Sequence, residues 1–203
     1  MGGKLPSTED GRVLRTRRAL RDALIALILE RGWDGFGVLE LCERANVGRS
    51  TFYTHFADKE ELVAGNFEDL RRVLRAQLAA STEGAGRPLA FARGLIQHAH
   101  EQRRLFLAIV GKRSGQFVQR RFRDLVLGLV REDLAGLLSA APRREAAIAF
   151  VTGAFLELLT WSLEAKSPPS PEETDALFRE LVEPVLEVAA GSGGASVPRR
   201  GNR

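Results

Sequence analysis

The chain is predicted to be all-α, with a small N-terminal three-helix unit followed by a larger helical domain. Three features of the sequence carry that expectation. Apolar residues recur at three- and four-residue intervals along most of its length, the period of amphipathic helices. The breaks between these segments are short and rich in Gly, Pro, Ser and Asn: 46–48 (NVG), 81–88 (STEGAGRP), 111–116 (GKRSGQ) and 167–171 (SPPSP). Between Val38 and Leu62 two short helices are packed around one tight turn and a third is capped. With 203 residues, 44% of them apolar, the chain suffices for one medium domain or two small ones with a sizeable core.

Taken in order, residues 1–12 show no period and read as a mobile arm, with Arg12, Arg15, Arg17 and Arg18 close behind; 1–14 are assigned to this arm. Basic arms of this kind touch phosphates or a minor groove, and a solvated helix start explains the arginines as well. From Thr16 to Arg31, Leu20, Ala23, Leu24, Leu27 and Ile28 mark an amphipathic helix that Gly32 ends. Trp33 and Phe36 bring two aromatics into the following loop. Leu39, Leu41, Cys42 and Ala45 give the next helix an apolar side, and Asn46 and Gly48 suit the corner after it. Arg49 to Phe56 makes about two further turns, with Phe52 and Phe56 on one face. The three helices close around Leu24, Leu27, Ile28, Phe36, Leu41, Val47, Phe52 and Phe56, and this unit is assigned to 15–62.

Asp58 is a good N-cap for the next helix, with Glu61 completing a box. That helix runs from Phe56 to about Ser81. Further helices are expected over Pro88–His100, Arg104–Val110, Phe117–Leu138, Pro142–Lys166 and Pro171–Ala190, with Pro184 kinking or loosening the last. These make up a second domain over 63–190, and 191–203 read as a flexible tail. The last two helices carry more apolar surface than one small domain covers. Phe150, Ala154 and Leu158 on one, and Leu177, Leu181 and Val185 on the other, are therefore expected to meet their own copies in a four-helix homodimer interface.

Several function classes are disfavoured. No paired carboxylates at useful spacing, activated nucleophile or metal-ligand spacing is evident, so no enzyme, no metal and no cofactor is expected. The single cysteine, Cys42, lies in an apolar helical pattern and reads as a small buried hydrophobe. No uninterrupted apolar run of membrane-spanning length and no secretion signal is read, which makes the cytoplasm the expected compartment. A net charge of +4 is compatible with a nucleic-acid partner, but acidic and basic residues nearly balance over 1–56. A positive surface there must come from placement.

The segment 38–56 has the layout of a helix-turn-helix whose second helix enters a DNA major groove. Arg49 carries the donor fork suited to guanine, Ser50 and Thr51 can reach a base edge or a phosphate, and Thr54 shares their polar side. Residues 16–63 resemble the DNA-binding domain of TetR-family transcriptional regulators. The resemblance rests on Ala45, Val47, Thr51, Phe52, Tyr53, His55, Phe56, Lys59 and Leu62. Gly37, Asn46 and Gly48 depart from the family's usual Thr, Gly and Ser, and each still suits its corner. The resemblance implies that Tyr53, His55 and Lys59 bind backbone phosphates. It also implies a homodimer on a palindromic double-stranded DNA operator, acting as a repressor, and a small-molecule effector bound among the later helices. Candidate walls for that effector are the apolar Phe91, Leu95, Leu105 and Phe106, with Phe122, Phe155 and Trp161. His98, His100, Arg104 and Glu157 are the candidate orienting groups, and a mostly apolar effector fits such a lining. A helical adaptor on the same fold, without effector or specific operator, is the competing expectation.

Overall fold

Residues 8–80, 87–110, 115–137 and 141–190 are described by the computed structural model of the chain, and nine α-helices and one 3-10 turn lie among them. The fold is all-α, as the periodicity predicts. The chain forms two compact units, 1–77 with 98–125, and 78–97 with 126–203.

In the first unit α1 (Thr8–Arg31) packs on a 3-10 turn (Trp33–Gly35), on α2 (Val38–Ala45) and on α6 (Arg103–Val110). The helix begins well before Thr16 and takes up half of the stretch expected as a flexible arm. No proline interrupts 8–15, and extending a nucleated helix by one residue costs far less than starting one. Residues 1–7 lie outside the described residues, as does the expected tail 191–203. Gly32 stops α1 at φ 77, a left-handed backbone that glycine adopts without strain, and its N–H still reaches Ile28 O at 3.0 Å.

Leu20, Leu24, Leu27, Ile28, Phe36, Leu41, Phe52 and Phe56 are buried together in this unit, so its expected core is present, with Val47 only half-buried. Cys42 is buried with them, and burial pushes its thiol pKa up. Leu39 departs from the expected apolar side of α2 and is exposed. Its neighbours Leu41 and Cys42, two and three positions on, turn to the interior instead.

The corner after α2 is made by Asn46 at φ 51, whose N–H bonds to the carbonyls of Cys42 and Glu43. At the other end of α2 the Glu40 carboxylate accepts the Gly37 N–H at 2.9 Å, doing from inside the helix what a Ser or Thr cap would do. That bond, with one from its own backbone N–H, holds the Glu40 carboxyl below its usual range. After α3 (Arg49–His55) comes α4 (Lys59–Ala80), capped at Asp58, whose Oδ1 accepts the Glu61 N–H at 2.7 Å. The return bond runs from the Ala57 N–H to the Glu61 carboxylate at 2.5 Å.

The remaining helices are α5 (Phe91–Glu101), α7 (Gly115–Leu134), α8 (Ala141–Glu164) and α9 (Pro171–Ala190). In the second unit α8 and α9 pack on each other around edge-to-face and tilted rings, Phe155 5.2 Å from Phe178 and 5.7 Å from Phe91. Ser170 caps α9 by accepting the Glu173 N–H at 3.1 Å while Glu173 accepts the Ser170 N–H at 2.7 Å, with Pro171 at the first helical position. The helix continues through Pro184 as one element. From Pro142 to Glu164 α8 is long and apolar enough, by length and composition, to cross a membrane. In this fold its Val151, Phe155, Leu159 and Leu163 are buried, the pattern of a core helix.

Candidate functional site

The second helix of the helix-turn-helix is split sharply by face. Phe52 is fully buried and anchors α3, with Phe56 just beyond its end, 5.9 Å away ring to ring. Arg49, Ser50, Thr51, Tyr53 and Thr54 are exposed. A two-turn helix does not hold alone, so the buried Phe52 is what lets the five polar and aromatic positions on either side of it face outward. Arg49 has no carboxylate partner among the described residues. The Thr54 hydroxyl donates to the Ser50 carbonyl at 2.9 Å, which satisfies the hydroxyl within the helix while its oxygen still accepts. Tyr53 stands edge-on to Phe52 at 5.3 Å with half its surface exposed. His55 is half-buried, its ring 6.3 Å from that of Phe56.

Lys59 has partners inside the unit. Its ammonium donates to the Trp33 carbonyl at 2.9 Å and the Phe36 carbonyl at 3.0 Å, and sits 4.2 Å from the Trp33 ring centre and 4.9 Å from that of Phe36. The side chain therefore folds back as a clamp between the start of α4 and the turn after α1. An aromatic floor with two unpaired carbonyls is a better local partner for a half-buried ammonium than open water. The Trp33 ring also stacks on Phe117 of α7 at 5.5 Å, interplanar angle 14°. Gly115, at φ 66, lets α7 begin there, and a Cβ at that position would stand 3.1 Å from the Trp33 ring. Of the arginines near the arm, Arg17 lies over the Phe56 ring at 5.5 Å.

The first unit also holds a cavity of about 400 Å3. One wall is α1, with Arg21, Leu24, Ile25 and Ile28; another is α4, from Val63 and Asn66 through Phe67, Asp69 and Leu70 to Val73. His98 of α5, Gln102, then Leu105, Phe106 and Ile109 of α6 and Val118 of α7 complete it. Among the residues expected to line an effector pocket, His98, Leu105 and Phe106 do line this cavity. Phe122 lies behind them, 5.4 Å from Phe106 and 6.0 Å from Phe67. The others are not gathered there. Phe91, Leu95 and Phe155 are buried in the second unit, where the apolar stripes of α5 and α8 are taken up by packing, while Arg104, Glu157 and Trp161 are exposed.

Sequence reasoning missed the α1 and α4 walls. The available signal was Ile25, which widens the apolar face of α1 beyond the stripe its core needs, together with the amide Asn66 inside a long helix. Burial lowers the pKa of His98, partly countered by Glu101, so the ring is neutral near pH 7 and offers one donor and one acceptor.

On α8, Phe150 and Trp161 are exposed, with Ala154 and Leu158 half-buried between them. On α9, Leu181 and Val188 are exposed, with Leu177 and Val185 half-buried. These positions fall on one face of each helix, at spacings of three, four and seven.

An all-α chain whose first unit presents a helix-turn-helix with an outward polar second helix, continued by further helices, has the layout of helix-turn-helix proteins. Residues 20–65 match the family model of the bacterial regulatory proteins of the tetR family. Over 55 residues the chain is 40% identical to YxbF, an HTH-type transcriptional regulator of Bacillus subtilis; the match spans 27% of this chain and 14% of that protein. Its fold is shared with a TetR transcriptional regulator from Streptococcus agalactiae (TM-score 0.65, 23% identity, 86% of this chain and 97% of the other). It is shared too with NalD of Pseudomonas aeruginosa, the secondary repressor of the MexAB-OprM multidrug efflux pump (TM-score 0.61, 18% identity, 85% and 96%).

Proposed function

We propose that the chain is a cytoplasmic, homodimeric, sequence-specific DNA-binding regulator, a repressor released from a palindromic operator by a small, mostly apolar effector. The observation that carries this reading is the division of α3: Phe52 fixes the helix from inside while Arg49 to Thr54 are offered to solvent. Arg49 reads guanine through its paired donors, and Ser50, Thr51, Tyr53, Thr54 and His55 supply shorter contacts to base edges and phosphates. Lys59 strengthens this surface by fixing the start of α4 rather than by lending its ammonium. The matched apolar faces of α8 and α9 support self-pairing, which would duplicate the reading helix for two half-sites about one duplex turn apart or a multiple of it. The repressor sign follows NalD, whose fold the chain shares.

The test is selection of duplex fragments by the purified protein, followed by affinity measurements from 50 to 300 mM salt. The reading expects a palindromic consensus and a steep loss of affinity with salt. Arg49→Ala should cost about 1–3 kcal/mol of discrimination at one base pair of each half-site while leaving non-specific binding nearly intact. An adaptor on this fold would give no consensus and no change with Arg49→Ala.

A further inference from the structure

We propose that the cavity walled by α1 and α4 in the first unit is a binding site for a small, uncharged, largely apolar molecule carrying one hydrogen-bonding end, and that its occupancy acts directly on the helix-turn-helix. A volume of about 400 Å3 falls within the range of sites that take small organic ligands. The surroundings are aliphatic and aromatic, with Ile25, Leu70 and Leu105 facing one another from three helices. Two charged side chains reach the lining, Arg21 and Asp69, and they are opposite in sign; Asp69 is already paired to Arg72 at 2.9 Å. A net charge on the ligand would therefore lose its water without gaining a dedicated counter-charge. Asn66, Gln102 and the neutral His98 ring offer hydrogen bonds instead.

The placement explains why filling this space reaches the reading surface. Leu24 and Ile28 line the cavity and are also 2% and 3% exposed members of the three-helix core, so α1 has the ligand and α2 as neighbours of one helix. Val118 lines the cavity as well, next to Phe117, which stacks on the Trp33 ring that holds the Lys59 ammonium. A molecule wedged between these walls shifts α1 or the start of α7 and so strains both supports of α3. Packed interiors answer a wedge by moving whole elements. The ligand changes DNA affinity only by the difference in its own affinity for the two arrangements. The effect on DNA rests on the regulator reading above; binding itself does not.

The test uses the full chain without DNA and N-phenyl-1-naphthylamine, an uncharged three-ring probe with one N–H that fluoresces in apolar surroundings. Saturable binding of one probe per chain is expected. Ile25→Phe and Leu70→Phe fill the cavity from opposite walls at half-buried positions, and each should weaken binding at least tenfold while thermal melts show it folded; if one fails to fold, the other decides. Leu137→Ser, at an exposed apolar side chain just past α7, should leave probe binding unchanged. The sulfonated analogue 1-anilinonaphthalene-8-sulfonate should bind at least tenfold more weakly. Absence of saturable binding, indifference to a folded filling variant, loss of binding in Leu137→Ser, or equal affinity for the sulfonate would overturn the site. In a second arm, probe-saturated protein should bind its selected duplex at least fivefold less tightly than free protein. Equal affinity there overturns the coupling alone, and no duplex binding in either state overturns the regulator reading while leaving the cavity result standing.

Discussion

Replacing Lys59 with Met separates two roles that the sequence alone cannot distinguish. Met keeps most of the stem and removes the ammonium, which leaves the carbonyls of Trp33 and Phe36 without their donors at 2.9 and 3.0 Å and takes the cation from two ring faces. A stranded carbonyl in a dry site costs about 1–3 kcal/mol, but Lys59 is only half-buried and water can reach part of the gap. Losing the ring contacts adds about 0.5–1 kcal/mol. The expected total is about 2–3 kcal/mol, or roughly a 4–12 °C fall in Tm for a chain of this size. The assay pairs thermal unfolding with duplex binding across a salt series. A clamp predicts a lower Tm with the salt slope unchanged, because no phosphate contact is removed. A direct phosphate contact predicts the reverse: Tm nearly unchanged and a slope shallower by about 0.9 for each bound protomer. That second outcome would refute the clamp.

Three further substitutions probe other parts of the fold. Leu181→Glu on the exposed face of α9 should shift a dimer to monomer in sedimentation at micromolar concentration, with helix content preserved; a dimer that persists removes this face from self-association. Asn46→Gly should be neutral or stabilising by a few tenths of a kcal/mol, whereas Asn46→Ala should cost about 1 kcal/mol, since φ 51 strains a residue with a Cβ and no local hydrogen bond; equal melting points would contradict this. Burial lowers the His98 pKa below the ordinary 6.5, so the folded state binds fewer protons there than the unfolded state. Its contribution is full above the ordinary value and is lost as pH falls through the folded one. Stability should therefore decline as pH falls below the ordinary histidine value of 6.5, and His98→Asn should flatten that decline in melts followed by circular dichroism.

How legible each part was depends on whether its cause is local. The corner at Asn46, the cap at Asp58 and the Phe52 anchor are decided within four residues, and sequence reasoning places all three. The α8 and α9 stripes are legible too, since an apolar position that its own fold leaves uncovered keeps its helical period. Lys59 was not, because its partners at Trp33 and Phe36 lie 26 and 23 residues upstream and nothing in the local pattern marks the two carbonyls as vacant. The cavity was misread for a similar reason. Period shows that Phe91, Leu95 and Phe155 are buried, but only the packing of several helices decides whether such a side chain meets another side chain or empty space. The α1 wall was hidden further because α1 had been assigned wholly to the three-helix core, which uses Leu24 and Ile28 on the same helix.

Cys42, the sole thiol of the chain, sits 3% exposed on the inner side of α2, and burial holds it in the unreactive protonated form. A thiol reagent can reach it only when α2 is uncovered, so the alkylation rate counts the openings, local or global, that expose this helix. The protein thus carries its own stopwatch for that motion. Slow labelling in the presence of duplex, against faster labelling without it, would time how firmly the bound partner holds the unit shut.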